Sequence, residues 1–286
     1  MTPSPMDDPK TLVSTSWLAA HLADPDLRVL DASWYLPDMA RDARAEYAAA
    51  HIPAARFFDI DEVSDQRSSL PHMAPPSEKF ISRMRAMGVG DGHQVVVYDG
   101  FGLLSAARVW WLFRLMGKVD VAVLDGGFPK WRAEGRALED MPPVMRDRHM
   151  TVQRQAGLVK DVTQVAHASK LGEAEIIDAR SAPRFKGEVA EPRPGLRAGH
   201  IPGAKNVPYG TLLNADGTMK SVTDLRAVFV AAGVDLSKPA ITSCGSGITA
   251  AVLSLALERI GHRNHALYDG SWAEWGMYDD LQVTKG

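Results

Sequence analysis

The chemistry open to this sequence turns first on one side chain. Cys244 is the only cysteine among 286 residues, set in "ITSCGSGIT" between an apolar run and a stretch of small residues. A lone thiol can close no intramolecular disulfide and build no thiolate-rich metal site, which leaves an inert core residue, an intermolecular bridge or a reactive nucleophile. Its neighbours argue for the last. "KPAITS" reads as a strand ending at Cys244, and Thr249 to Ile260 reads as a helix stopped by Gly261. The cysteine therefore falls at the carboxyl edge of a sheet, where α/β folds gather ligands. Gly245 and Gly247 let the backbone curl so that the N–H groups from Gly245 through Ser246 and Ile248 to Thr249 can converge, and the helix start adds partial positive charge. An anion held at that point is the sulfur itself, which favours the thiolate.

The elements that must position this loop occur twice. "RVLDASWY" (28–35) resembles "EIIDARSA" (175–182), and "EYAAAHIPAARFFDI" (46–60) resembles "GLRAGHIPGAKNVPY" (195–209). "RAMGVGDGHQVVVYD" (85–99) then matches "VAAGVDLSKPAITSC" (230–244), and "VAVLDGGFPKW" (121–131) matches "NHALYDGSWAEW" (264–275). Matching blocks in the same order at nearly constant spacing imply two homologous domains. We read them as residues 8–140 and 158–286, joined by a proline-containing, charged linker over 141–157. Short apolar strands such as "VAVLDG" alternate with helical stretches such as "SAARVWWLFRLMG". Each repeat is thus expected to be an α/β fold, an open parallel sheet with helices on both faces. Asp99 aligns with Cys244, so sulfur chemistry belongs to the second repeat alone. His51 and His200 precede proline at matching positions of both repeats, which points to a shared packing role.

With 45% hydrophobic and 23% charged residues and a net charge of -3, the chain has the composition of a soluble globular protein and offers no electrostatic reason to expect nucleic acid or an anionic membrane as partner. No apolar run is long enough to span a bilayer, and "MTPSPMDDPK" lacks the features of a secretory signal, so a cytoplasmic location is expected.

The loop "CGSGIT", the two "HIP" segments with "AGHIPGAKNVP" in the second repeat, "RDARAEY" and "YDGSWAEW" together resemble the two-domain sulfurtransferases of the rhodanese superfamily, in particular the branch that uses 3-mercaptopyruvate. The resemblance covers almost the whole chain. It implies transfer of the donor's sulfur through a Cys244 persulfide, with release of pyruvate and no metal or organic cofactor. The acceptor it implies is a thiol such as thioredoxin, or cyanide in an assay. By the same resemblance Arg184 and Arg193, in "PRFKGEVAEPRPG", bind the keto acid, and Ser246, His72 and Asp61 form a proton relay in a cleft between the domains. Asp59 competes with Asp61 for the third place. Thiosulfate-specific relatives carry cations directly after the cysteine, where this chain has Gly245 and Ser246. Dianionic thiosulfate is best met by cations at the loop, whereas a keto acid needs its countercharge elsewhere. Three alternatives remain: thiosulfate:cyanide sulfurtransfer by the same nucleophile, a sulfur carrier or binding module without turnover, and a cysteine phosphatase. The phosphatase is weakened because the sixth residue after Cys244 is Ala250 and not the arginine that would clamp phosphate.

Overall fold

A computed structural model describes residues 7–36 and 39–286. Met1 to Met6, on which much of the reading of the N-terminus rests, lie outside the described residues. The chain forms two compact units, one of Met1–Asp65, Pro75–Gln155 and Ala215–Met219, the other of Gln66–Ala74, Ala156–Asn214 and Lys220–Gly286. Each unit thus takes a short segment from the other half of the sequence. Among the described residues no helix is long and apolar enough to cross a membrane.

In the first unit the strands are β1 (Leu12–Val13), β2 (Leu27–Asp31), β3 (Arg56–Phe57), β4 (Gln94–Tyr98) and β5 (Val121–Leu124). They form a parallel sheet in the order β1-β5-β4-β2-β3. Helices α1 (Thr15–His21), α2 (Ala43–Ala49), α3 (Ile60–Val63), α4 (Ser77–Ala86), α5 (Ala106–Leu115) and α6 (Gly127–Ala133) make the crossovers. The second unit has β6 (Val159–Lys160), β7 (Glu175–Asp178), β8 (Lys205–Asn206), β9 (Ala240–Ser243) and β10 (His265–Tyr268), parallel in the order β6-β10-β9-β7-β8. Its helices are α7 (Val162–Leu171), α8 (Ala182–Lys186), α9 (Val222–Ala231), α10 (Ala250–Arg259) and α11 (Ser271–Trp275). Strand for strand the two orders are the same, so the internal repeat is a repeat of topology.

Residue type explains the layering. The central strands read "VVVY" and "AITS" and are buried because sheet neighbours and helices cover them on every side. α5 and α10, "ARVWWLFRL" and "AVLSLALER" after their first alanine, bury nearly every side chain, which is why their sequences show an apolar run more than a narrow stripe. The paired histidines lock equivalent corners. The His51 ring stacks on Tyr47 at 4.1 Å with Nδ1 2.7 Å from the Tyr47 carbonyl, and the His200 ring stacks on Phe185 at 3.8 Å with Nδ1 2.8 Å from the Phe185 carbonyl.

Residues 141–155 run along the first unit without regular secondary structure and are tied to it by backbone bonds. The Gln153 N–H donates to the Met116 carbonyl at 3.1 Å, the Gln155 N–H to Leu115 at 2.7 Å, and the Asp91 N–H to His149 at 3.1 Å. This strap closes so tightly over Gly90 that a Cβ there would lie 2.4 Å from the His149 oxygen.

Candidate active site

β9 is the central strand of its sheet, bonded to β7 and β10, and its last residue hands directly to Cys244. The six residues Cys244 to Thr249 then turn the chain into α10. Gly247 makes the turn possible: its φ of +80° lies in the left-handed region that a Cβ disfavours. In that conformation its N–H points back at the thiol and donates to Cys244 Sγ at 3.1 Å. The cysteine is 2% exposed. Ser246 is buried beside it, and Ile248 and the N-cap residue Thr249 complete the bend into the helix.

The backbone of Cys244 is held from behind. The Cys244 N–H donates to Ser271 Oγ at 3.2 Å, and that hydroxyl donates onward to the Tyr268 carbonyl at 2.8 Å. The Trp272 N–H donates to the Cys244 carbonyl at 2.9 Å and the Ala273 N–H to the Gly245 carbonyl at 2.8 Å. Ser271 achieves this with φ of +50°, although it is not glycine. Its role was not read from the sequence, but the repeat contained the signal: "DGG" in the first half stands against "DGS" in the second. Gly127, the counterpart, has φ of +55° and no room for a Cβ, which would sit 2.6 Å from the Asp99 oxygen.

The first unit shows what such a loop does with an anion. Asp99 is fully buried, and its Oδ1 accepts from the N–H groups of Phe101 and Gly102 at 2.9 Å each. Its Oδ2 accepts from Leu104 at 2.8 Å and Ala106 at 2.9 Å. Four main-chain donors therefore converge on one carboxyl group at the end of β4. The second repeat has the same strand-loop-helix geometry, and there one loop donor, the Gly247 N–H, reaches Cys244 Sγ.

Arg184 lies next to the cysteine loop. A Cβ on Gly245 would lie 3.0 Å from its Nη2, so the missing side chain at position 245 leaves the guanidinium its place. Nη2 also donates to Glu191 Oε2 at 2.5 Å, and Glu191 Oε1 accepts from Arg180 Nη1 at 2.9 Å. Arg180 in turn forks onto Asp178 and lies 4.3 Å over the Trp272 ring. Two arginines and two carboxylates make a balanced, largely buried network in which Arg184 is held by its Nη2 and Nε edge. Arg193 is half-buried in the irregular segment between α8 and β8, two residues after Glu191.

Of the three residues expected to relay a proton, Ser246 and His72 share a unit with Cys244, because the segment 66–74 belongs to the second unit. His72 is 8% exposed with φ of +59°, and two residues on, the Ala74 N–H donates to Asp269 Oδ2 at 2.7 Å. Asp61 belongs to the first unit, in the first turn of α3, where Trp34 Nε1 donates to its Oδ2 at 3.1 Å. Asp59, its competitor, caps α3 and pairs with Arg44 at 3.0 Å, so it has a structural task of its own.

Comparison with known proteins decides the family. Residues 14–134 and 161–278 both match the rhodanese-like domain. The chain belongs to the rhodanese family. It is 44% identical to the 3-mercaptopyruvate sulfurtransferase of Escherichia coli, over 95% of this chain and 96% of the relative. It is 42% identical to thiosulfate/3-mercaptopyruvate sulfurtransferase 1, mitochondrial, of Arabidopsis thaliana, over 96% of this chain and 78% of the relative. The crystal structure of SseA from Escherichia coli superposes with a TM-score of 0.84 at 42% identity, covering 92% of this chain and 99% of that one. This rhodanese-family chain is thus an α/β protein of two rhodanese domains with one thiol, and its relatives are sulfurtransferases.

Proposed function

We propose that the chain transfers the sulfur of 3-mercaptopyruvate to a thiol through a persulfide on Cys244. The observation that carries this reading is the pairing of a cation-free cysteine loop with Arg184 packed against Gly245 from outside it. A guanidinium there can fork onto the carboxylate and keto oxygen of the donor and leave the donor's sulfur facing Cys244. Arg193, nine residues on, is the second arginine assigned to the keto acid.

In the first half-reaction the Cys244 thiolate attacks the donor sulfur. A new S–S bond forms, the C–S bond breaks, and its electron pair becomes the enolate of pyruvate, which is then protonated on carbon. The Gly247 N–H, with the neighbouring loop amides from Gly245 to Thr249, stabilises negative charge on sulfur as the persulfide forms. Ser246 and His72 relay the proton. In the second half-reaction an acceptor thiolate takes the outer sulfur and returns Cys244 to the thiolate. The acceptor we assign is a protein dithiol of the thioredoxin kind, in the cytoplasm.

Thiosulfate remains the second donor to test, since a relative carries both donors in its name. The experiment compares pyruvate release from 3-mercaptopyruvate with sulfite release from thiosulfate, for the wild type and Cys244→Ser. The keto acid should be preferred and the serine variant inactive. Preference for thiosulfate would reverse the donor assignment, and turnover by the serine variant would end the persulfide mechanism. An added sulfur, about 32 Da by intact mass, that no thiol removes would instead mark a carrier.

A further inference from the structure

The amino-terminal edge of the first sheet gathers arginines that form no ion pair among the described residues. Arg56 in β3 stands opposite Leu30 of β2, and Arg28, two residues earlier on β2, therefore shares its face. Arg28 stands opposite Val95 of β4, which puts His93, two residues before Val95, on that face too. The strap crosses above them. A Cβ on Gly90 would meet Arg148 Cβ at 2.9 Å, and Arg28 Nε donates to the Gly88 carbonyl at 3.0 Å, so Arg148 and Arg28 converge on the same turn.

Their hydrogen bonds leave donors over. Arg28 gives Nε and Nη1 to the carbonyls of Gly88, Pro25 and Leu27. Arg148 gives Nη1 to its neighbour's carbonyl. Arg56 is only 8% exposed; it gives Nη1 to the Ala54 carbonyl at 3.0 Å, and its Nε is buried with no partner. The Gly90 N–H donates to His93 Nδ1 at 2.9 Å, which fixes the tautomer and leaves the proton on Nε2 as a further donor. Among the described residues none of the three arginines meets a carboxylate at salt-bridge distance, whereas the buried Arg180 meets two. Asp26 acts on Arg28 and His93 through space only, and Lys118, bonded by Nζ to the Asp91 carbonyl at 3.0 Å, adds a further positive charge nearby. Burial and the cations Arg28, Arg148 and Lys118 push His93 down to about 4, and burial with the same two arginines lowers Arg56. A buried cation left uncompensated is strongly unfavourable, so this arrangement calls for a counter-anion.

We propose that Arg28, Arg56, His93 and Arg148 form a binding site for a small tetrahedral oxyanion of the phosphate or sulfate class in the first, thiol-free unit. Several acceptor oxygens on one centre match donors converging from two strands, a turn and the strap. The burial of Arg56 restricts the ligand to a small ion, since a peptide carboxylate or nucleic-acid strand could not bring its bulk to that depth. None of its four residues is assigned to sulfur transfer, so an ion here would stabilise or regulate the protein without sharing a ligand with the keto acid.

The test is calorimetric titration of the full-length protein with inorganic phosphate, sulfate and, as control, chloride at constant ionic strength. Arg148→Gln, on the exposed strap, should weaken phosphate or sulfate binding about tenfold or more while leaving 3-mercaptopyruvate turnover at the wild-type level. Arg184→Gln should leave that binding intact. Absence of saturable binding above chloride, or binding lost in Arg184→Gln and kept in Arg148→Gln, would overturn the proposal. Should Arg56→Gln fail to fold, His93→Gln supplies the internal variant, with weakened binding again expected and unchanged binding counting against the site.

Discussion

Replacing Ser271 separates two effects that the wild type combines. Ser271→Ala deletes the acceptor of the Cys244 N–H and keeps a Cβ at φ of +50°. Ser271→Gly deletes the same bond and removes the strain as well. Leaving a buried N–H unsatisfied costs about 1–3 kcal/mol, and a non-glycine residue in the left-handed region costs on the order of 1 kcal/mol. Because Gly127 holds the equivalent position at φ of +55°, the backbone there accepts glycine. The glycine variant should therefore be more stable than the alanine variant by roughly 1 kcal/mol, with both below the wild type. In catalysis the order changes. Both variants free the Cys244 backbone, so both should lose about tenfold in kcat, the equivalent of about 1.4 kcal/mol, with little change in KM because no contact to the keto acid is touched. Urea melts and steady-state pyruvate release, each run on all three proteins, make the comparison. Wild-type kcat in either variant would refute the positioning role, and an alanine variant more stable than the glycine variant would refute the strain.

Donor choice can be moved at the loop. Gly245→Arg with Ser246→Lys places cations directly after Cys244 and pushes the Arg184 guanidinium, now 3.0 Å from the Cβ position, out of its place. The double variant should lose keto-acid turnover and gain thiosulfate turnover relative to it, measured as the ratio of kcat/KM for the two donors; an unchanged ratio would count against Arg184 as the selector. Asp31 supplies a pH dependence. Burial, with the nearby Asp99 carboxylate, raises it from 3.8 to about 6. The folded chain therefore retains a proton between about pH 4 and pH 6 that the unfolded chain has released, and stability falls as pH rises through that window. A shift of about two units corresponds to at most about 3 kcal/mol. Asp31→Asn, neutral throughout, should flatten that part of the stability profile and raise the melting temperature at pH 7; a profile parallel to the wild type's would refute it.

Where function depends on local pattern, the sequence was readable. The position of Cys244 after an apolar strand, the glycine turn and the helix from Thr249 follow from residues close in the chain, and β9, the loop and α10 stand where that pattern requires. The repeat made Asp99 an internal control before any coordinates, and its four amide donors give that alignment physical content. Less legible were residues whose partners are distant in sequence. Glu191 stands in a charged, proline-containing stretch and is the buried anchor of two arginines. Ser271 has the composition of a turn residue, and only the bond to Cys244, 27 positions away, reveals its task. Arg28, Arg56, His93 and Arg148 come from four separate stretches, and charge patterning along a chain does not report which donors meet across a sheet. Nor does hydrophobic period tell which unit receives a loop, as for 66–74 and 215–219.

That last feature sets an order of events during synthesis. Asp125 accepts from the Met219 N–H at 2.7 Å, and Lys130 lies 3.5 Å from Asp216, so the first unit is incomplete until residues of the second repeat have left the ribosome. The segment carrying His72, made early, must in turn wait for Asp269 to receive the Ala74 N–H. Domains commonly fold in the order of their synthesis. Here neither can finish alone, and the segment carrying His72 is tied down at Ala74 only after β10 has been translated, so a nascent or truncated chain can carry Cys244 without the completed surroundings that sulfur transfer requires.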